Sequence, residues 1–234
     1  MRYFFCVIIE LNINKIIRLG DNMELNNKYD GLIYDLDGTL WETIDCCMKA
    51  NEYMINKYSD ITKPITRDTV IASMGKPLDE IADMYYGYLP KETAIKYNNE
   101  FFKKVTEYLL QDGGLLYKNM KETILELSKN YKLYIVSNCI EGYIEAFLYN
   151  TNLWNFFEDY ECNGRTGLSK AENIKLIIER NKINKPIYIG DTQGDKDASV
   201  AADIPFIYAA YGFGNVEEYD YKIDDISELL KILK

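Results

Sequence analysis

The sequence predicts an α/β protein, a Rossmann-like parallel sheet with helices on both faces. Four short, largely apolar runs have the composition of buried strands: GLIYDLD from Gly31, YKLYIVSN from Tyr131, PIYIGD from Pro186 and IPFIYA from Ile204. A stretch with the apolar period of a helix precedes each of the last three runs. These stretches are residues 119–129, 169–181 and 196–202. Strands that alternate with helices of this length form βαβ units with right-handed crossovers.

A small α-helical domain is predicted to interrupt the sheet after its first strand. Across residues 46–110, Met, Tyr and Ile recur at helical spacing, and no run in this region is typical of a strand. A connection of this length forms a unit of its own instead of a loop. We therefore expect a core of residues 23–45 and 111–234, joined to the helical domain by linkers at 42–45 and 111–114.

The composition excludes several classes of protein. The 234 residues are 47% hydrophobic, and the formal net charge is −10 with no basic run, so a nucleic-acid partner is not expected. Histidine is absent, which leaves carboxylates, Lys, Ser, Thr and Cys for chemistry. The five cysteines include no CxxC pair, so neither a zinc site nor a disulfide framework is indicated. A reducing cytoplasm is the expected compartment.

The first 22 residues form an N-terminal extension with two equally favoured interpretations. Its apolar run is short, is broken by Glu10 and lacks a cleavage site, so neither a signal peptide nor a membrane span is expected there or elsewhere in the chain. The extension packs as an extra strand or helix on the edge of the core, or else Met23 is the natural start. The second interpretation rests on Gly20 and Asp21, whose codons GGA-GAT would contain a ribosome-binding GGAG.

Polar side chains follow three of the predicted strands. They are Asp35 and Asp37 after the first, Ser137 and Asn138 after the second, and Asp191 after the third, with Asp195 in the turn that follows. The carboxyl ends of parallel strands lie side by side, and ligands bind beyond them. Each carboxylate taken alone is typical of a helix cap or a turn. Together they repel one another unless a hard cation compensates them, and such oxygen ligands favour Mg²⁺.

Two further residues have alternative interpretations when they are taken alone. Ser137 is equally a binding residue and a strand-end cap. Lys170 opens a predicted helix, where a positive charge is mildly unfavourable for the helix dipole. A functional role for Lys170 is therefore reasonable, and a solvated surface lysine is the common alternative.

Four segments carry a family resemblance. DLDGTL, IVSN, LSKAENI and YIGDTQGDKDAS, in this order and on these elements, resemble the four motifs of the haloacid dehalogenase-like superfamily of phosphotransferases. The resemblance covers nearly all of residues 29–214. The closing IPFIYAAYGFG and the helical insert look most like the phosphoglycolate phosphatase-type branch, in which an α-helical cap covers the site.

The resemblance implies roles for the residues that bind and react with phosphate. Asp35 would be the nucleophile that forms an aspartyl-phosphate, and Asp37 would protonate the leaving alkoxide and then activate water. Ser137, with backbone N–H groups near Asn138, would bind phosphate oxygens. Lys170 would neutralise charge on Asp35 and on the phosphoryl group.

The resemblance also implies a Mg²⁺ site. Asp35, Asp191 and the Asp37 backbone carbonyl would hold the ion, and Asp195 would support that shell. Gly38 and Thr39 fit a tight turn beside the bound phosphate, and Thr39 would also cap or orient Asp35.

Asp37 distinguishes between branches of the superfamily that the sequence resembles. The dehalogenase and phosphonate-cleaving branches lack an Asp at this position, so Asp37 favours phosphate-ester chemistry. We expect a cytoplasmic, Mg²⁺-dependent phosphatase that acts on a small phosphorylated metabolite, as a monomer or weak homodimer. Phosphoglycolate is the nominal substrate by resemblance alone. A β-phosphoglucomutase-like sugar phosphomutase is the alternative, because mutases retain Asp37, and a non-catalytic regulator that binds a phosphometabolite is disfavoured.

The cap is expected to set the choice of substrate, through residues that the motifs do not identify. Trp41 is expected to pack at the junction between core and cap. Arg67, Lys76 and Arg165 are candidates to face the substrate, although a solvated position is favoured for each. Cys139 is interpreted as a packing residue.

Overall fold

The computed structural model describes residues 28–233, and the predictions for the N-terminal extension and for Met23 lie outside the described residues. The strands are β1 (Gly31–Tyr34), β2 (Trp41–Glu42), β3 (Leu115–Leu116), β4 (Lys132–Ser137), β5 (Asp159–Cys162), β6 (Pro186–Gly190), β7 (Phe206–Ala209) and β8 (Tyr221–Ile223). Six of them form one sheet in the order β5-β4-β1-β6-β7-β8, and every neighbouring pair is parallel. The predicted α/β fold with a parallel sheet is confirmed.

Helices surround this sheet. Helices also occupy most of the chain between β1 and β4, which are the first two strands of the sheet in chain order. They are α1 (Ile44–Lys57), α2 (Arg67–Ser73), α3 (Leu78–Tyr86), α4 (Lys91–Asp112), α5 (Met120–Leu127), α6 (Tyr143–Thr151), α7 (Asn163–Thr166), α8 (Lys170–Asn181), α9 (Gln193–Ala201) and α10 (Leu229–Ile232). Short 3₁₀ turns cover Trp154–Phe156 and Ile226–Glu228. None of the helices within residues 28–233 has both the length and the apolarity of a membrane span.

The sheet has a buried apolar layer on each face because successive side chains of a strand point to opposite sides. On β1, Leu32 and Tyr34 belong to one buried cluster and Ile33 belongs to the other. The cluster around Ile33 includes Ile174 and Ile177 of α8, whereas the cluster around Leu32 continues into α5, α6 and the helices that follow β2. The strands are therefore buried on both sides, as their apolar sequences predict.

Helices α1 to α4, hereafter the helical segment, lie between β2 and β3. These two short strands pair antiparallel, with Trp41 opposite Leu116 and Glu42 opposite Leu115. Helix α1 begins at Ile44 and α4 ends at Asp112, so both reach into the stretches expected to be linkers. The helices are where the apolar spacing predicts them. The division of the chain into a core and a separate cap domain stays a prediction.

The structure adds two edge strands that the sequence analysis did not identify. Strand β5 has the sequence DYEC and β8 the sequence YKI, and both are partly exposed. Neither is an apolar run, because an edge strand pairs on one side only and tolerates polar residues. Helix α9 also begins at Gln193, three residues before the predicted start, because Thr192 and Asp195 form a capping box.

Candidate active site

Strand β1 lies at the centre of the site because β4 and β6 pair on either side of it. Asp35 therefore emerges between Ser137, at the end of β4, and Asp191, which follows β6. All three side chains are buried. The sheet order thus brings together the three strand ends that the sequence predicted to converge.

Asp35, Asp191, Asp195 and Lys170, hereafter the strand-end cluster, pack against one another in the core of the site. One carboxylate oxygen from each of the three aspartates lies within 4.8 Å of the others. The Lys170 Nζ donates to Asp35 Oδ1 at 2.8 Å and to Asp195 Oδ1 at 2.6 Å. Lys170 is buried at the first position of α8, which Ser169 and Glu172 cap, so it is not a solvated surface lysine.

The strand-end cluster carries more negative than positive charge, and the pKa values reflect this imbalance. Burial raises the pKa of Asp35 to about 7, and the Asp195 carboxylate adds to the increase although Lys170 opposes it. Burial, together with the neighbouring carboxylates of Asp195 and Asp35, raises the pKa of Asp191 well above its usual range. Burial alone would lower the pKa of Lys170, but Asp195 and Asp35 outweigh it and raise the pKa.

These residues fit a hard divalent cation. Three buried carboxylates with one ammonium group leave excess negative charge that added positive charge would stabilise, and an all-oxygen donor set suits Mg²⁺. Asp191 is held in place for such a role: the Phe213 N–H donates to its Oδ2 at 2.7 Å. A Cβ on Gly38, where φ is +88°, would lie 2.1 Å from that same oxygen. Only glycine fits there, which explains the Gly of DLDGTL.

Asp195 differs from the other two aspartates because protein donors already surround it. Its Oδ1 accepts from Lys170 and from the Tyr188 hydroxyl. Its Oδ2 accepts from the Asp191 and Thr192 N–H groups and from the Thr192 hydroxyl. The side chain thus fixes the loop that presents Asp191 and also fixes the ammonium group of Lys170.

Asp37 is held by two hydroxyl groups that the sequence analysis did not identify. The Thr43 hydroxyl donates to Asp37 Oδ1 at 2.9 Å and the Tyr143 hydroxyl lies 3.1 Å from the same oxygen. Tyr143 also contacts the Thr43 hydroxyl, at 2.8 Å. Burial raises the pKa of Asp37 to about 6, and the bonds from Thr43 and Tyr143 limit that rise. Thr43 is near Asp37 in the chain, but Tyr143 is 106 residues away and carries no sequence signal.

The other predicted phosphate-site residues lie around the same strand ends. Ser137 is buried at the end of β4. The Asn138 side chain donates to the Gly75 carbonyl at 2.9 Å, which connects this strand end to the helical segment. Thr39 contacts Asp191 instead of Asp35, with its Oγ1 3.5 Å from Asp191 Oδ1.

Of the three candidates predicted to face the substrate, one lines the cavity and the other two form ion pairs elsewhere. Lys76 lines the cavity above the site. Arg67 instead pairs with Asp45 in an exposed position, and Arg165 pairs with Glu161 beside β5. Trp41 is fully buried and packs edge-on against Tyr143 and Phe147 of α6. Its place at a junction between core and cap stays a prediction.

A small cavity of about 40 Å³ separates the strand ends from the helical segment. Its lower side consists of Asp35, Asp37, Ser137, Asn138, Cys139, Thr43 and Tyr143. Its upper side consists of Cys47, Ser73, Met74, Gly75, Lys76, Leu78, Ile81, Tyr85 and Phe102. The predicted nucleophile Asp35, the predicted acid–base residue Asp37 and the predicted phosphate-binding residue Ser137 therefore face one cavity.

Comparison with known proteins identifies a family for most of the chain. Residues 32–209 match the family model described as haloacid dehalogenase-like hydrolase. No curated protein matches the chain.

Solved structures share the fold at low sequence identity. A protein from Haemophilus somnus, named as a predicted phosphoglycolate phosphatase, is 21% identical with a TM-score of 0.76, and the match covers 88% of this chain and 98% of that one. A predicted phosphatase from Clostridium acetobutylicum is 24% identical with a TM-score of 0.72, covering 87% and 97%. A protein from Bacillus subtilis, named as a HAD-hydrolase and bound to magnesium, is 20% identical with a TM-score of 0.66, covering 88% and 98%. These similarities show the fold.

Proposed function

The chain belongs to the haloacid dehalogenase-like hydrolase family, and from that premise we propose that it is a Mg²⁺-dependent phosphatase of a small phosphorylated metabolite. The observation that carries the proposal is the contact of the buried Lys170 with Asp35, two residues before Asp37, an aspartate that also lines the cavity. A nucleophile with a charge partner and a separate acid–base group are the parts that phosphate-ester hydrolysis needs.

In the first step, a carboxylate oxygen of Asp35 attacks phosphorus, and the bond between phosphorus and the leaving oxygen breaks. The product is an aspartyl-phosphate on Asp35 and an alcohol. Lys170 favours the ionised form of Asp35 and stays beside the phosphoryl group as charge moves onto it. Ser137 and the backbone N–H groups near Asn138 hold the phosphate oxygens.

Asp37 acts first as an acid toward the leaving group and then as a base toward water. Protonated Asp37 gives its proton to the leaving alkoxide, and the resulting carboxylate takes a proton from the water that attacks phosphorus in the aspartyl-phosphate. As the new bond between water oxygen and phosphorus forms, the bond between phosphorus and the Asp35 oxygen breaks, which releases inorganic phosphate and restores the Asp35 carboxylate. A pKa of about 6 suits both roles, because the group changes charge near neutral pH. Thr43 and Tyr143 hold the carboxylate in position during both steps.

Asp35, Asp191 and the Asp37 carbonyl would hold Mg²⁺, which supplies positive charge that offsets the repulsion between Asp35 and the phosphate dianion. Asp195 supports this site by positioning Lys170 and the loop that bears Asp191.

The test is release of inorganic phosphate from a panel of sugar phosphates, phosphoglycolate, nucleotides and p-nitrophenyl phosphate. Each ester is assayed with Mg²⁺ and with a chelator. We expect release that requires the metal and returns when Mg²⁺ is restored. Release that is equally fast in chelator would contradict the metal requirement, and no release from any ester would contradict the phosphatase. In that second case, conversion of glucose 1-phosphate to glucose 6-phosphate would identify a phosphomutase.

A further inference from the structure

The side of the cavity that faces the leaving group is formed by the helical segment. We name this surface the helical wall, and it comprises Ser73, Met74, Lys76, Leu78, Ile81, Tyr85 and Phe102. Met74, Leu78, Ile81 and Phe102 present apolar groups to the cavity. A substrate held below by its phosphate must place its alcohol portion against these side chains.

The polar groups of the helical wall include one hydroxyl pair. The Ser73 and Tyr85 hydroxyl oxygens lie 2.6 Å apart, and Ser73 also donates to the Val70 carbonyl at 2.7 Å. Ser73 gives its proton to Val70, so Tyr85 donates to Ser73, and both protons are used. The Ser73 and Tyr85 oxygens therefore have only lone pairs left for a ligand. These lone pairs can accept a hydrogen bond from a hydroxyl group of the substrate, but they repel an anion.

Lys76 is the only cationic side chain among the described residues that line the cavity. Its side chain is 41% exposed, and its Nζ lies 3.6 Å from Glu80, which is exposed as well. A solvated lysine beside a carboxylate offers a weak and screened attraction to another anion. The helical wall therefore holds no buried positive charge for a carboxylate of the substrate.

The opposite side of the cavity makes a second anion still less favourable. Asp35 and Asp37 line it, and Lys170, which lies behind Asp35, already bonds two carboxylates. A substrate carboxylate would thus lose its water against apolar side chains and face negative charge below.

We propose that the leaving group is a neutral alcohol and carries no carboxylate. This proposal rests on the proposed phosphatase function and narrows its substrate class to alkyl or polyol phosphates. It also disfavours phosphoglycolate, the nominal substrate that the resemblance implied.

The test compares two esters of similar size, 2-hydroxyethyl phosphate and phosphoglycolate, which differ in carrying CH₂OH or a carboxylate. We expect kcat/KM to be at least about tenfold higher for 2-hydroxyethyl phosphate. Equal values, or a higher value for phosphoglycolate, would overturn the charge preference while leaving the phosphatase function intact. Release from neither ester, and from no other ester of the panel, would overturn the phosphatase function itself.

Two substitutions test whether the helical wall sets this preference. Met74→Lys places a cation within the wall, and Met74→Gln is the neutral control of similar length. We expect the phosphoglycolate to 2-hydroxyethyl phosphate ratio of kcat/KM to rise at least about tenfold in Met74→Lys and less than about threefold in Met74→Gln. An equal rise in both variants would overturn the role of charge.

Lys76→Met tests whether Lys76, the cationic residue that lines the cavity, binds a carboxylate of the substrate. We expect the ratio to stay within about twofold of the wild-type value, because solvent already screens Lys76. A selective loss of phosphoglycolate hydrolysis in this variant would show that Lys76 binds the carboxylate and would overturn the proposal.

Discussion

The strand-end cluster, which lines the cavity through Asp35, and the helical wall on the opposite side of that cavity are held in place in opposite ways. In the cluster, buried charges are fixed by specific partners, such as Lys170 between Asp35 and Asp195. In the wall, the apolar side chains Met74, Leu78, Ile81 and Phe102 line the cavity, and the directional contacts are those of Ser73 with Tyr85 and Val70 and the exposed Lys76–Glu80 pair. A buried charge tolerates few replacements, whereas apolar packing tolerates many. Under the proposed function, we therefore expect the chemistry to depend on the cluster and the choice of alcohol to depend on the wall.

The largest expected effect comes from Asp35→Asn. The change removes the proposed nucleophile and one charge of a repulsive cluster, so we expect turnover to fall more than about 10³-fold while the fold is retained. Asp197→Asn, an exposed aspartate on α9, is the matched control. Phosphate release and circular dichroism check both variants, and wild-type turnover in Asp35→Asn would break the assignment of chemistry to the cluster.

Lys170→Met should lower both activity and stability. The variant leaves Asp35 and Asp195 without their shared cation, so we expect about a 10²-fold loss of kcat and a loss of about 3 kcal/mol in the free energy of unfolding. The control is Lys175→Met, an exposed position on the same helix. Denaturant unfolding measures the stability. If the two variants unfold alike, the ion pairs do not hold the cluster together.

Tyr143→Phe should act on proton transfer and leave the packing of the site intact. It removes one of the two hydroxyl contacts to Asp37, so we expect kcat for an alkyl phosphate to fall about tenfold. For p-nitrophenyl phosphate, whose leaving group needs no proton, we expect less than about a threefold fall. Tyr149→Phe, exposed on the same helix, is the control. Equal losses for both esters would place the effect of Tyr143 on the hydrolysis of the aspartyl-phosphate that both esters share, and would contradict a selective effect on protonation of the leaving group.

The smallest effect is expected in the helical wall itself. Tyr85→Phe breaks the hydrogen bond to Ser73, and we expect a loss of about 1 kcal/mol in the free energy of unfolding. The kcat/KM for 2-hydroxyethyl phosphate should fall a fewfold, whereas kcat for p-nitrophenyl phosphate should not change. A large fall in kcat for both esters would mean that the wall takes part in chemistry, which would break the comparison.

The sequence predicted the parallel sheet and the convergence of its strand ends, since both follow from local patterns. Apolar runs identify the buried strands, and parallel pairing places Asp35, Ser137 and Asp191 side by side. Strands β5 and β8 were missed because edge strands carry polar residues. The start of α9 was wrong because the Thr192–Asp195 capping box extends the helix toward the strand.

By itself, the sequence determined which residues carry charge and at which strand end each one lies, because chain order and strand period fix both. Only the tertiary structure decided what those residues touch. Tyr143 reaches Asp37 across 106 residues, Thr39 contacts Asp191, and Lys170 is shared by two aspartates. The helical wall was likewise decided by packing, since apolar spacing predicts a helix but not which of its side chains meet the cavity. Contacts between distant segments depend on how elements pack, and that information is not local to any motif.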